Sequence, residues 1–519
     1  MATPYTASPL IQELEPSIEK MVAMADAAAE IFANTDPYSR ARALNSIASA
    51  LIDNAEELVR IAHEETGLSE ARLHGELKRT AVQLRLFGDE IIDGSYLDVR
   101  IDRADPDFIL GVRPELRMTR MPVGPVVVFA ASNFPFAFSV AGGDTASALA
   151  AGCPVLLKAH SGHPKLSTRT GEIVTAALAD AGMPRGIFAV FTGQENGTAV
   201  LKDPRVQAGS FTGSEYVGRL LADIAAARPQ PIPFFGELGS LNPVFVTNKA
   251  LETRAKDVVS GLVGAVSGSA GQLCTKPGFV FLPKNHDIDD LIRQEVEASN
   301  SQLGEQRLLN PGIARGYTSR FNQVVSAPGV DVVVEGSIRS KDDGQTWTTP
   351  TFVKVALENL RQNSKAILGE VFGPFTVLVE VPDGENPVHI ANEFFTGSLT
   401  ATIQAANEEE STELKELVRS LSRIAGRVLY GGWPTGVAVT HAMIHGGPWP
   451  ATTNDTSTSV GTSAINRFLR AVTFQSVPES LLPAPVQESN PWNVPRVISE
   501  AGESEGWGQK ASEVVKHLS

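Results

Sequence analysis

Residues 124–159 have the sequence GPVVVFAASNFPFAFSVAGGDTASALAAGCPVLLKA. Two apolar runs of strand length, PVVVFA and CPVLLKA, flank an Ala-rich segment that is typical of a helix. The alternation continues to residue 248 with the runs IFAVFTG, AGSFTGS and PVFVTN, which are separated by helical segments such as STRTGEIVTAALADAGMP. This pattern is typical of βαβ units, and it predicts a parallel, doubly wound sheet in an α/β protein.

The segments on either side extend this prediction. A second set of strand-like runs, GFVFLP, FTVLVEV, LTATIQA and GRVLYGG, lies between residues 250 and 439, so two α/β lobes are expected. Residues 17–93 repeat apolar positions every three or four residues, which predicts an opening helical layer with a helix end at Gly67. The run FILGVRPELRMTRMPVG at residues 108–124 predicts a small β-hairpin that could mediate oligomerisation. Residues 445–464, rich in Ser, Thr and Gly, predict a long ordered loop.

Composition limits the partners and the compartment. The 519 residues are 42% hydrophobic and 20% charged, as expected of a globular enzyme. Lys and Arg number 44 against 59 acidic residues, so the net charge of −15 argues against nucleic acid and membrane partners. An anionic substrate would need a local cluster of Arg or Lys to overcome that charge. Two cysteines and an N-terminus without a basic-then-apolar pattern favour a cytoplasmic protein.

Cys274 is the candidate nucleophile. It lies in SGSAGQLCTKPG, where no bulky neighbour shields the sulfur, and an activated thiolate is well suited to attack a carbonyl carbon. From these residues alone, a buried core cysteine is an equally good interpretation. The second cysteine, Cys153, lies in the apolar run LAAGCPVLLK and is interpreted as a packing residue.

Three further features suggest binding or catalysis. Glu237 lies in the apolar, Gly-rich run PFFGELGSLNP, where burial is expected to raise its pKa toward that of a general base, although a structural acid fits equally. Asn133 follows a predicted strand, so its amide is either an oxyanion donor or a turn former. Gly213 and Ser214, with Gly218 beyond them, open a predicted helix whose free N–H groups suit a pyrophosphate. They do not match the G-x-G-x-x-G fingerprint.

Taken together, these motifs closely resemble the aldehyde dehydrogenase superfamily, over nearly the whole chain. The resemblance rests on six motifs in the family's order: Asn133-Phe134-Pro135, Lys158 in VLLKA, Phe211 to Ser214, Glu237-Leu238-Gly239, Gly271 to Cys274, and Glu370 to Pro374. It implies an aldehyde dehydrogenase fold with an NAD(P) cofactor. It also implies a dinucleotide-binding domain at residues 1–103 and 123–236, a catalytic domain at 237–465, and oligomerisation segments at 104–122 and 466–490.

The resemblance implies a mechanism. Cys274 attacks the aldehyde, Asn133 and the Cys274 N–H hold the oxyanion, and hydride leaves for the nicotinamide. Glu237 then activates a water that hydrolyses the thioester. Glu370 is similar to the family residue that holds the nicotinamide ribose, and Phe372 packs near it. No metal is required.

One departure from the family pattern concerns the cofactor. The frequent Lys-Pro-x-Glu is replaced by Lys158-Ala159-His160-Ser161, so the acid that grips the adenosine ribose is missing. Ser161 would not repel a 2′-phosphate, Lys158 supplies positive charge, and Arg219 is expected to reach the phosphate. NADP is therefore the expected cofactor, with NAD as a possible second. His160 and His163, which could assist, are expected at the surface.

Longer phrases resemble a narrower branch, the bacterial 2-oxoglutarate semialdehyde (2,5-dioxopentanoate) dehydrogenases. The alternatives are an NADP-dependent fatty aldehyde dehydrogenase and a catalytically silent structural relative. A semialdehyde needs a clamp for its distal carboxylate, whereas a fatty aldehyde needs an apolar tunnel. The clamp candidates are Arg85, Ser139 and Thr440, each with a surface or packing role as its simpler interpretation, and His441 and His445 are undecided. A homodimer or homotetramer is expected.

Overall fold

The computed structural model describes residues 16–509. The N-terminal residues that bear on an export signal lie partly outside this range. The helices are α1 Pro16–Ala33, α2 Pro37–Asp53, α3 Ala55–Thr66, α4 Glu70–Asp93, α5 Gly143–Ala151, α6 Pro164–Asp180, α7 Gln194–Lys202, α8 Glu215–Ala226, α9 Asn248–Ser267, α10 Asp289–Leu303, α11 Pro311–Val325, α12 Leu357–Gln362, α13 Ser364–Ile367, α14 Pro387–Phe394 and α15 Thr412–Ile424.

The strands are β1 Val99–Asp102, β2 Leu116–Pro122, β3 Val126–Phe129, β4 Val155–Lys158, β5 Phe188–Phe191, β6 Ala208–Thr212, β7 Phe234–Glu237, β8 Pro243–Val246, β9 Phe279–Pro283, β10 Gln306–Arg307, β11 Val330–Val334, β12 Ile338–Ser340, β13 Thr346–Thr348, β14 Thr351–Ala356, β15 Phe375–Val381, β16 Ser398–Gln404, β17 Ala425–Tyr430, β18 Leu469–Gln475 and β19 Arg496–Ser499. Between β10 and β14, β12 and β13 form a small antiparallel sheet with β10.

The first lobe contains a five-stranded, all-parallel sheet in the order β5-β4-β3-β6-β7. Alternate residues of a strand face opposite sides, so Val128 packs with α2 and α4 to α6, while Val127 packs with α1, α7 and α8. The direction of winding reverses between β3 and β6. A crevice at the carboxyl ends of these two strands is where doubly wound sheets bind ligands.

The second lobe contains a seven-stranded sheet in the order β11-β14-β15-β9-β8-β16-β17. Neighbouring strands are parallel except for the edge strand β11, which is antiparallel to β14. Every residue of β16 is buried, as expected for a strand covered on both faces. The predicted α/β class with two doubly wound lobes is confirmed.

A small four-stranded sheet has the order β18-β2-β1-β19. Strand β2 is antiparallel to both β1 and β18, so residues 104–122 and 466–490 do meet in one sheet. The hairpin pairs β1 with β2, so its first strand lies before residues 108–124, where the hairpin was expected. Strand β19 pairs with the other edge of β1. The oligomerisation role and the domain boundaries remain predictions.

The opening helices form a layer on the first lobe. Helix α3 ends at Gly67, whose φ of +72° is the left-handed conformation that glycine adopts without strain, so the predicted helix end is confirmed. Helix α4 begins after Ser69, whose hydroxyl accepts the N–H of Arg72. Among residues 16–509, no helix is both long enough and apolar enough to cross a membrane.

Candidate active site

Cys274 lies on a tight loop that follows α9. A turn of 3-10 helix at Gly268–Gly271 places Ser269, Ala270 and Gly271 at φ of +56°, +52° and +61°. A Cβ at Gly271 would collide with the carbonyl oxygen of Gly373, so this position accepts only glycine without rearrangement. The loop is thereby pressed against the segment that precedes β15.

Two asparagines hold this loop through hydrogen bonds to its backbone. The Asn242 amide donates to the carbonyl oxygens of Cys274 at 2.8 Å and Lys276 at 3.0 Å. The Asn133 amide, from the loop after β3, donates to the carbonyl oxygen of Gln272 at 3.1 Å. Asn133 is therefore buried beside the nucleophile loop with one amide hydrogen still available to a ligand.

Glu237 is the last residue of β7 and is buried. Its Oε1 lies 2.8 Å from Nε2 of His445, and its Oε2 accepts a hydrogen bond from the Ser459 hydroxyl. The same Nε2 lies 3.3 Å from Sγ of Cys274. One imidazole nitrogen therefore faces both the thiol and the carboxylate.

These contacts form a compact cluster. The reactive atoms of Glu237, Cys274 and His445 all lie within 4.8 Å of one another. A nucleophile, a base and a second acid–base group within proton-transfer reach are the parts needed for covalent catalysis at a carbonyl. A thiol, an imidazole and a carboxylate are also a donor set that zinc accepts, so the expectation that no metal is needed stays a prediction.

The cluster controls the protonation of its members. Burial, followed by the charge of Glu237, raises the pKa of the Cys274 thiol well above its usual value, so the thiol is neutral at rest and needs a base. Burial also raises the pKa of Glu237, but His445 and the hydrogen bond from Ser459 outweigh it and hold that pKa below its usual value. The sequence-based expectation of a raised Glu237 pKa is therefore wrong in direction, because it considered burial without the partners.

His445 was left undecided by the sequence, and its place in the cluster is the main finding of the structure. It lies in the predicted long loop. As expected, the chain contains no helix or strand between the end of β17 and residue 461. The loop folds back on itself where the N–H of His445 donates to Thr458 Oγ1 at 2.8 Å and that of Ser459 donates to the His445 carbonyl at 2.9 Å. This pairing brings His445 and Ser459 to Glu237 together.

Comparison with known proteins identifies the family. Residues 9–458 match the model of the aldehyde dehydrogenase family. The chain belongs to the aldehyde dehydrogenase family. It is an oxidoreductase that acts on aldehydes, and the family uses NAD(P).

Two relatives and one solved structure illustrate the similarity. The chain is 42% identical to alpha-ketoglutaric semialdehyde dehydrogenase 2 of Azospirillum brasilense, over 88% of this chain and 86% of that protein. It is 38% identical to alpha-ketoglutaric semialdehyde dehydrogenase of Acinetobacter baylyi, over 90% and 88%. The fold matches the aldehyde dehydrogenase KauB of Pseudomonas aeruginosa with a TM-score of 0.74, at 23% identity over 88% and 89% of the two chains.

In this aldehyde dehydrogenase, the residues predicted to hold pyrophosphate make structural contacts around the start of α8. The N–H of Gly213 donates to the Glu237 carbonyl at 3.0 Å, so it is not free for a phosphate. The Ser214 side chain caps α8 by accepting the N–H of Val217. A Cβ at Gly218 would overlap Leu238, so this glycine lets α8 pack closely on the strand that carries the base.

The residues predicted to hold the adenosine end lie at the end of β4 and in the loop that follows it. Lys158 is half-buried, and burial lowers its pKa. Ser161 is exposed. His163 is fully buried, with Nε2 2.9 Å from the Ala131 carbonyl oxygen, and burial lowers the pKa of His160 to about 3. The expectation that both histidines are surface residues is therefore wrong for His163, which is a structural residue that supports the loop after β3.

The remaining predicted cofactor residues lie on both lobes. Arg219 is exposed on α8, where it pairs with Asp223 at 2.9 Å and stacks over Trp449. Glu370 approaches Gly239 closely, and burial raises its pKa to about 7 despite the opposing charge of Lys276. Phe372 follows two residues later and is half-buried. The cofactor roles of these residues remain predictions.

The substrate-clamp candidates are not brought together. Arg85, Thr440 and His441 are exposed, whereas Ser139 is buried, with no hydrogen-bond partner for its hydroxyl among residues 16–509.

Cys153 is fully buried, and its thiol contacts the Phe468 carbonyl oxygen at 3.4 Å, as a packing residue does.

Proposed function

We propose that the protein oxidises 2-oxoglutarate semialdehyde to 2-oxoglutarate, with NADP as the preferred cofactor and a thioester on Cys274 as the intermediate. The contact of Cys274 with His445 and Glu237 supports the covalent route. The names of the two relatives at 42% and 38% identity support the substrate. We further propose a cytoplasmic homodimer or homotetramer.

The first half of the reaction begins at the thiol. His445 Nε2 takes the proton of Cys274, and the thiolate attacks the aldehyde carbon to give a hemithioacetal oxyanion. The free amide hydrogen of Asn133 donates to that oxyanion. The Glu237 carboxylate stabilises the imidazolium that forms, since the two groups are 2.8 Å apart.

The residues present fit a 2′-phosphorylated dinucleotide. Lys158 has no carboxylate partner among the described residues, and Ser161 places no carboxylate at its own position. Lys158, Ser161 and Arg219 would hold the adenosine end, and Glu370 the nicotinamide ribose. When bound, the cofactor accepts the hydride that leaves the substrate carbon.

The second half hydrolyses the thioester. Glu237 is a carboxylate at neutral pH because its pKa is lowered, and it accepts a proton from the attacking water. The Ser459 hydroxyl orients the other carboxylate oxygen. Collapse of the tetrahedral species releases the acid and the Cys274 thiolate, to which His445 returns the proton that it took in the first half. Glu237 loses the proton of the water to solvent.

A substrate panel tests this proposal. The wild-type protein is assayed with 2-oxoglutarate semialdehyde and with hexanal and longer alkanals, each with NADP and NAD, by the absorbance of the reduced cofactor. The highest kcat/KM is expected for the semialdehyde with NADP. A preference for long alkanals would instead identify a fatty aldehyde dehydrogenase, and absence of turnover would identify a silent relative.

A further inference from the structure

One face of α4 lies against the loop that carries Asn133. Residues 72, 76, 79 and 83 repeat every three or four positions and therefore share that face. Glu76 fixes the contact, because its Oε1 accepts the N–H groups of Phe136 at 2.8 Å and Ala137 at 3.0 Å. The other three side chains are thereby held next to the active-site loop.

Arg72, at one end of this face, already has a partner. Its Nη2 donates to the Asn133 carbonyl oxygen at 2.6 Å and lies 3.9 Å from Oε2 of Glu76. Its guanidinium also stacks on the ring of Phe134. Arg72 therefore helps to position Asn133, the proposed donor to the oxyanion.

Arg79, two turns beyond Arg72 on α4, does not have such a partner. Its Nη1 is shielded from solvent and makes no hydrogen bond within residues 16–509. Its guanidinium carbon lies 5.5 Å from the ring centre of Phe138, which in turn lies 6.2 Å from the ring of His445. Shielding an unpaired guanidinium from water costs free energy unless an anion pairs with it.

Gln83 confirms that this part of α4 borders the catalytic cluster. A Cβ at Gly143 would lie 2.9 Å both from Nε2 of Gln83 and from the carbonyl oxygen of Ser459, the residue that binds Glu237. Burial lowers the pKa of Arg79, while the charges of Glu76, Cys274 and Glu237 oppose that change. Arg79 is therefore within electrostatic reach of the reacting groups.

We propose that Arg79 binds the distal carboxylate of the substrate. The planar guanidinium can donate two parallel hydrogen bonds to a carboxylate, and in a protein of net charge −15 it supplies the local positive charge that an anionic substrate needs. This assignment rests on the proposed function and names the residue that selects an aldehyde acid over a neutral aldehyde.

The test compares selectivity in Arg79→Gln with that in the wild type. The ratio of kcat/KM for 2-oxoglutarate semialdehyde to that for hexanal is expected to fall by about 100-fold, mainly through KM, because a charge-assisted bidentate contact is lost. Arg79→Lys keeps the positive charge but lacks the planar pair of N–H donors, so its ratio should lie between those of Arg79→Gln and the wild type. Lys78→Gln, which removes an exposed cation from the same helix, is the matched control and should leave the ratio unchanged.

The outcomes separate the two proposals. Wild-type turnover of the semialdehyde with an unchanged ratio in Arg79→Gln would overturn the Arg79 assignment and leave the function standing. A ratio that stays constant while the KM for NADP rises would also overturn it, by assigning Arg79 to a cofactor phosphate. Failure of the wild type to oxidise the semialdehyde, with hexanal turned over, would overturn the proposed function itself. Hexanal turnover by the variant also shows that it folds.

Discussion

At the scale of single residues, the neutral Cys274 thiol makes His445 decisive. Replacing His445 by Gln is expected to lower kcat/KM by about 100-fold or more near neutral pH, since a positioned base contributes at least that much. The loss should shrink as pH rises, because the pKa of the partly buried thiol lies well above its usual value and only alkaline solution ionises it unaided. A pH profile of kcat/KM measures this.

The matched control for this variant is His441→Gln. His441 lies four positions away on the same loop, but its side chain is 69% exposed and it does not contact Cys274. Its activity should be that of the wild type. If both variants kept wild-type profiles, the thiol would have another base.

Glu237 is expected to act after the thioester has formed. Glu237→Gln removes the group that takes the proton of the hydrolytic water, so deacylation should slow more than acylation. A rapid burst of reduced cofactor should then persist ahead of a slow steady state, measured by stopped-flow absorbance. Loss of both phases would assign Glu237 to thiol activation through His445 instead.

The sequence predicted part of this site for a physical reason. Cys274, Glu237 and Asn133 each lie in a short motif that resembles one of the aldehyde dehydrogenase family, so each could be assigned from local sequence although its neighbours alone left a structural role open. His445 lies 171 positions from Cys274, in a loop without periodicity, and only the folded chain brings them to 3.3 Å. The direction of the Glu237 pKa was wrong for the same reason, since the partners that lower it come from that loop.

At the scale of elements, the nucleophile loop depends on Gly271. Gly271→Ala is expected to abolish most activity, because a left-handed φ costs about 1–2 kcal/mol in an L-residue and the new Cβ would collide with the Gly373 carbonyl. Gly264→Ala, in the preceding helix, meets no atom within 4 Å and should keep activity while raising stability by about 1 kcal/mol. Urea unfolding and kcat together test the pair, and an active Gly271→Ala would show that the loop geometry is not required.

The elements themselves differ in how well sequence predicts them. Strands such as β3 and β4 are buried on both faces, so they appear as continuous apolar runs that are easy to recognise. The hairpin was expected at residues 108–124, but its first strand is β1. Residues 103–115 form no strand, because their backbone makes a single isolated β-bridge, between Asp105 and Arg113. Alternating polarity does not distinguish a paired strand from an extended connection.

At the scale of the whole molecule, the proposed cofactor site joins the two lobes. Lys158 ends β4 of the five-stranded sheet and Ser161 follows it, whereas Glu370 precedes β15 of the seven-stranded sheet. A ligand held by both lobes adds its binding free energy to the stability of the folded molecule, about 2.7 kcal/mol at a hundredfold excess over Kd. The preference for NADP over NAD should therefore appear as a difference in Tm.

NADP is expected to raise the Tm of the wild type more than NAD at equal concentration, and Ser161→Glu should reverse that order. The introduced carboxylate would repel the 2′-phosphate and accept hydrogen bonds from the free ribose hydroxyl of NAD. Thr168→Glu adds the same charge at an exposed position of α6 and should keep the wild-type order. A thermal-shift series with both cofactors measures all three proteins. A larger shift with NADP in Ser161→Glu would place the phosphate away from residue 161, because like charges in contact cannot favour the phosphorylated form.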